Sequence, residues 1–161
     1  MFASYSLCAA RLADIEAIDY FFARELTGLV ESSNETDFCL LLALSRAQRM
    51  GNSCLIVSEL AGEHCFAHSD EPDSGFIFAH QDELLFRAEA LVKHPGMAGR
   101  LHWYNGRLYT ARYWQFEQQL VASIAERSNP APLTNEQTEA LLQVWPSLFP
   151  VQQSEQQDWQ Q

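Results

Sequence analysis

Apolar residues recur at Ile15, Ile18, Phe22, Leu26 and Leu29, three or four positions apart. This spacing predicts a helix that turns these five residues toward a core. Gly28 and the polar run Glu31-Ser32-Ser33-Asn34 end it. The same run opens a second helix, where Ser32-x-x-Glu35 fits a capping box and Glu35 and Asp37 set negative charge at the positive helix end. The interior Phe38-Cys39-Leu40-Leu41-Leu42-Ala43-Leu44 is apolar on every side, which predicts a helix buried in the middle of the fold. Arg46 and Arg49 suit its last turn, and Gly51 suits a left-handed cap.

Past Asn52 the period weakens. Cys54-Leu55-Ile56-Val57 reads as a short strand or packed coil, and His68 to Gly75 as a turn-rich, acidic, mobile surface loop. A third helix is expected over Gln81 to Lys93, with Leu84, Leu85, Ala88, Leu91 and Val92 inward, closed by His94-Pro95-Gly96. The period then changes to two. Leu101-His102-Trp103-Tyr104, Asn105-Gly106 and Arg107-Leu108-Tyr109-Thr110 predict a β-hairpin on a type I′ turn, pairing Tyr104 with Arg107 and Trp103 with Leu108. Leu101, Trp103, Leu108 and Thr110 then share an inward face, and His102, Tyr104, Arg107 and Tyr109 an outward one. A fourth helix runs from about Trp114 to Arg127 with Phe116, Leu120, Val121 and Ile124 on one stripe. After the connector Asn129-Pro130-Ala131-Pro132, Thr134-x-x-Gln137 caps a fifth holding Leu141, Leu142 and Trp145, which Pro146 ends or kinks. The fold class is therefore mostly α: a small helical domain over 1–150 with one hairpin at about Leu101–Thr110, and a Gln-rich linker over 151–161.

Composition narrows the function. A chain of 161 residues that is 47% hydrophobic can build a core, which excludes a disordered linker. The net charge of −11 argues against DNA binding by the whole surface, because only nine Arg and Lys93 are present to neutralise phosphates. No apolar run approaches the roughly 20 residues that a membrane span needs, and Met1–Ala10 lacks the basic start of a signal peptide. Cys8, Cys39, Cys54 and Cys65 are then expected as reduced, mostly buried thiols of a cytoplasmic protein.

Sites with chemistry of their own are scarce. The seven glycines never form G-x-x-x-x-G-K-[ST], and G-x-S-x-G, H-E-x-x-H and paired C-x-x-C are absent. Cys54…His64-Cys65-x-x-His68 resembles zinc ligands, but the adjacency of His64 and Cys65 makes chelation of one ion awkward, so no metal is expected. Asp70/Glu71 fall in a solvated loop and Asp82/Glu83 in a helix first turn, where acids are stabilising in any case. From Arg87 to Trp114, however, five cations face a single carboxylate, Glu89, giving a local charge of +4 interleaved with Trp103, Tyr104, Tyr109, Tyr113 and Trp114. Three readings fit this stretch: a structural hairpin with Arg over aromatic rings, a protein interface, and a single-stranded nucleic-acid platform.

Arg107-Leu108-Tyr109-x-x-Arg112-x-Trp114-x-x-Glu117 resembles a signature in the N-terminal domain of RecD, the alpha subunit of bacterial exodeoxyribonuclease V (RecBCD). Ile18-Asp19-x-x-Phe22-Ala23, the Leu-rich helix ending in Ser45 with Gly51-x-x-Cys54-Leu55, and Leu148-Phe149-Pro150 with Trp159-Gln160 agree in order and spacing. The resemblance runs from about residue 12 to the end and departs between Glu59 and His80. It implies a docking domain that contacts a RecC-like subunit, with a RecB-like subunit in the same complex. It also implies a parent subunit that is an ATP-dependent 5′-to-3′ DNA helicase acting in bacterial double-strand break repair and recombination. ATP and magnesium, and contact with DNA, would belong to a motor core following residue 161, with Gln160 at the adenine-reading glutamine position. The chain itself is expected to hold no complete active site and no cofactor. Arg107, Tyr109, Arg112 and Trp114 are the candidate partner-interface residues.

Overall fold

Six helices and five short strands are found among the described residues, which in this computed structural model are 2–31, 34–71, 73–128 and 133–149. They fall into two compact units, Met1–Val121 and Ala122–Gln161. In the first unit the apolar start forms a helix that the apolar spacing does not predict, α1 (Tyr5–Arg11), capped by Ser4, whose Oγ accepts from the Leu7 amide at 3.3 Å. The expected first helix is α2 (Ala17–Leu29) and the second is α3 (Glu35–Arg49). Phe38 to Leu44 are all buried, so α3 is the centre of the core, packed against α2 along its length. Gly51 takes φ +93° just past its end, as expected of a left-handed cap. The side chain seen to cap its start is that of Asn34, which accepts from the Thr36 amide at 2.7 Å; Ser32 of the expected capping box lies outside the described residues.

The inward face of α2 differs from the apolar stripe read in the sequence. Ile18 is 63% exposed and Leu29 45%, whereas Asp19, Tyr20, Ala23, Leu26 and Thr27 are buried. Two polar residues account for the rotation. Thr27 turns inward because its hydroxyl donates to the Ala23 carbonyl at 2.8 Å. Asp19 turns inward because it gathers four donors: the Glu16 amide at 2.9 Å, Ser45 Oγ at 2.7 Å, and Arg49 Nη2 and Nε at 3.1 and 3.3 Å. A fully satisfied carboxylate is compatible with burial where an unpaired one is not.

Beyond α3, β1 (Leu55–Ile56) leads into a short 3-10 turn, Val57–Leu60. Two-residue strands β2 (His64–Cys65) and β3 (Phe76–Ile77) then pair antiparallel around the acidic loop. The C-terminal end of that loop is tied to the fold by hydrogen bonds. Ser74 is buried, its hydroxyl donating to the Glu71 carbonyl at 2.6 Å and accepting from the His68 amide at 2.7 Å, and the Gly75 amide donates to the Arg11 carbonyl at 2.7 Å. Gly75 is required there: its φ is +86°, and a Cβ would lie 2.7 Å from the Cys65 carbonyl oxygen. Gly75→Ala is therefore expected to cost about 1–3 kcal/mol, from strain at a left-handed position plus the clash, read as a lower denaturation midpoint.

The third expected helix is α4 (Gln81–Lys93), with Leu84, Ala88 and Leu91 buried. The hairpin follows as β4 (Leu101–Tyr104) and β5 (Arg107–Thr110), in the register expected from the Asn-Gly turn: Tyr104 opposite Arg107 and Trp103 opposite Leu108. Asn105 and Gly106 take the required positive φ, +46° and +74°. β1 adds to the far side of β5, giving a three-stranded sheet in the order β1-β5-β4. The chain passes from β5 straight into α5 (Ala111–Arg127), which begins three residues earlier than expected and crosses the division between the two units.

In the second unit, α6 (Asn135–Leu148) starts on the expected box: Thr134 Oγ1 accepts from the Gln137 amide at 3.2 Å while Gln137 Oε1 accepts from the Thr134 amide at 3.0 Å. The helix runs two residues beyond Pro146. The connector 129–132, the expected linker 151–161 and Gln160 lie outside the described residues.

Candidate docking surface

A two-residue turn places His102, Tyr104, Arg107 and Tyr109 on one face of the hairpin. Nothing within the hairpin covers that face. The first turns of α5 do, through Trp114. Its ring stacks on His102 with centroids 3.9 Å apart and planes 15° from parallel, and it meets Tyr104 at 5.3 Å and Tyr109 edge-on at 5.2 Å. Tyr109, expected to face outward, is accordingly buried, with 4% of its surface exposed. The sequence pattern assigns faces within a hairpin, but it does not show that the next helix folds back over one of them.

A polar node lies beside this stack. Glu117 of α5 accepts a hydrogen bond from the Ser53 hydroxyl in the loop after α3. Burial, and hydrogen bonding with Cys54 and Glu117, push the Tyr109 hydroxyl far above its ordinary pKa, so it stays a neutral donor. Tyr109, Trp114 and Glu117 thus fasten the N-terminal part of α5 to the sheet.

The arginines are arranged differently. Arg107, at the turn end of β5, and Arg112, on the first turn of α5, are both exposed; the Arg112 guanidinium lies 5.3 Å from the Phe116 ring centroid. Arg87, which belongs to the same basic stretch of sequence, is committed elsewhere. It forks onto the buried carboxylate of Asp37, Nε to Oδ1 at 2.8 Å and Nη2 to Oδ2 at 2.9 Å, and Lys93 pairs with Glu89 at 2.7 Å. Further along α5 within the first unit, Phe116, Leu120 and Val121 are each half or more exposed, an apolar stripe. Two exposed arginines, a rigid aromatic seat and an apolar helix stripe match the composition of protein-interface centres.

The zinc-like cluster does other work. His64 Nε2 lies 2.7 Å from the Ser74 carbonyl and His68 Nε2 3.1 Å from the Ala9 carbonyl. No three metal-ligating side chains converge among the described residues. All four cysteines are free; Cys8 and Cys39 are buried and Cys54 and Cys65 half-buried. Burial pushes the Cys8 thiol up to about 12, and that of Cys39 higher still, which leaves both unreactive near neutral pH. Among the described residues no helix is long and apolar enough to cross a membrane.

Comparison with known families places the domain. The family model described as RecBCD enzyme subunit RecD, N-terminal domain, matches residues 12–141. The chain belongs to this RecD family. No curated protein and no solved structure gives a significant match. Within the RecD N-terminal domain, three of the stretches that carry the resemblance meet in space, all in the first unit. Asp19 of the first touches Ser45 of the second, 26 positions away, and Cys54 of the second meets Tyr109 of the signature. Much of the RecD signature therefore serves to join the hairpin to α5, while Arg107 and Arg112 are left facing outward. Sequence reading missed Ser53 altogether, because a lone serine between two turns carries no periodic or motif signal.

The nucleic-acid alternative finds little support in this geometry. Stacking on bases needs open ring faces, yet Trp114 is stacked on His102 and Tyr109 is buried. Oligonucleotide anisotropy is expected to stay flat at low salt; steep, salt-dependent binding would restore that reading.

Proposed function

We propose that this chain is the docking domain of a RecD-type subunit, a helical scaffold that holds the subunit to a RecC-type partner in a RecBCD helicase–nuclease. The RecB-type subunit sits in the same complex, and the assembly acts on DNA double-strand breaks in the bacterial cytoplasm. The observation that carries this reading is the RecD N-terminal family match over residues 12–141, most of the chain. The exposed pair Arg107 and Arg112, on elements locked together by Trp114 and Glu117, supports an interface of fixed shape, which loses little entropy on binding.

Catalysis belongs to the parent subunit in this reading. ATP and magnesium act in its motor core, which drives 5′-to-3′ unwinding; the present sequence has no glycine-rich phosphate loop that would hold them. The domain contributes position rather than chemistry. A competition assay tests this: excess chain added before reconstitution should keep a full-length RecD-type subunit from joining its RecB- and RecC-type partners. Undiminished assembly at high excess of folded chain would count against the proposal.

A further inference from the structure

We infer that a second surface, the groove between α4 and the end of α2, takes a segment of the RecC-type partner bearing a large apolar side chain next to Lys or Arg. This rests on the docking reading above and extends it beyond the hairpin. The groove has a volume of about 480 Å³, with Val30, Phe86, Ala90 and Leu91 as apolar lining. Such a volume is enough to bury an aromatic or branched side chain. Phe86 is 75% exposed, the most exposed large hydrophobic side chain among the described residues. The faces of α4 explain why it is free: Leu84, Ala88 and Leu91 enter the core, and Leu85 lies against the hairpin turn at Gly106, which leaves Phe86 to the groove.

The charge pattern points to a basic partner. Glu83 and Arg87 stand at i and i+4, the spacing at which Glu and Arg pair on a helix. Arg87 instead forks onto buried Asp37 in the groove wall, and Glu83 has no ion pair among the described residues. An unpaired carboxylate thus sits beside an exposed phenyl ring on an α4 face that a cation with an apolar neighbour would satisfy on both counts. Glu83 also favours the helix start by its position in the first turn, a role that Glu83→Arg removes too and that a melt of that variant reads separately from binding.

The test measures affinity of the whole chain for the purified cognate RecC-type subunit. Phe86→Ala is expected to weaken binding about tenfold, as for an aromatic anchor, with an unchanged melting temperature because the ring is solvent-exposed. Ala90→Arg, which fills the groove with bulk and charge, should weaken it similarly. Glu83→Arg should weaken it several-fold at low salt, and less at high salt where charges are screened. Unchanged affinity in Phe86→Ala and Ala90→Arg overturns the groove assignment. The docking reading survives that outcome if Arg107→Ala weakens binding in the same assay; failure of the unaltered chain to bind overturns both.

Discussion

Asp19→Ala is expected to destabilise the first unit by about 3 kcal/mol and to lower its melting temperature by about 10 °C. Loss of the acceptor for the Glu16 amide removes a helix cap, worth about 1 kcal/mol. The Ser45 hydroxyl, left beside an alanine, loses its partner in a half-buried site, and the emptied space adds to this for about 1–3 kcal/mol more. Arg49 adds little to the loss, since its partly exposed guanidinium returns to water. Its interaction nevertheless has a sign: the hydrogen bond to Asp19 is the largest contribution raising its pKa above the ordinary value. Asp19→Asn keeps one carbonyl oxygen for the Glu16 amide and turns its NH2 toward the Ser45 hydroxyl, which can accept instead, and should lose less than half as much. Chemical denaturation of both variants checks the ordering; equal losses would mean that the charge, rather than the hydrogen-bonding geometry, holds α2 on α3.

The second large effect separates two residues of one signature. Arg107→Ala should leave the melting temperature unchanged and weaken assembly with the RecC-type subunit at least tenfold, as loss of an exposed arginine anchor. Trp114→Ala should weaken assembly as much but by another route. It removes the ring that covers His102, Tyr104 and Tyr109 and unseats α5. A loss of about 2–3 kcal/mol follows from the aromatic contacts and the exposed apolar area they leave. Melts and binding measured together distinguish the routes, because only the tryptophan variant should move both. A melting shift in Arg107→Ala would make the arginine a structural residue and withdraw it from the interface.

These expectations show which features a single sequence carries. The hairpin register and turn are legible because Asn-Gly at the turn leaves few alternatives, and α3 is legible because its apolar run lies between first-turn acids, Glu35 and Asp37, and last-turn arginines, Arg46 and Arg49. The face of α2 is not legible in the apolar period, because the burial of Asp19 and Thr27 depends on partners 26 residues away and one turn back, and periodicity counts neither. The burial of Tyr109 is hidden for a similar reason: which side of a small sheet is covered depends on where the following helix packs. In the acidic loop, Ser74 and Gly75 make hydrogen bonds to the rest of the fold that composition does not register. At the candidate site, residue types and spacing were enough to draw attention to Arg107 and Arg112. They did not reveal that Tyr109, Trp114 and Glu117 lock the elements presenting them, nor that Arg87 is drawn away to Asp37.

The central claim is that this domain docks a RecD-type subunit to a RecC-type partner through a preformed surface. Co-purification of the chain with its cognate RecC-type subunit on size exclusion tests it most directly. A stable 1:1 complex, weakened by Arg107→Ala without loss of folding, is the predicted result. Separate elution of the two proteins, with the chain folded by its melting transition, would contradict it.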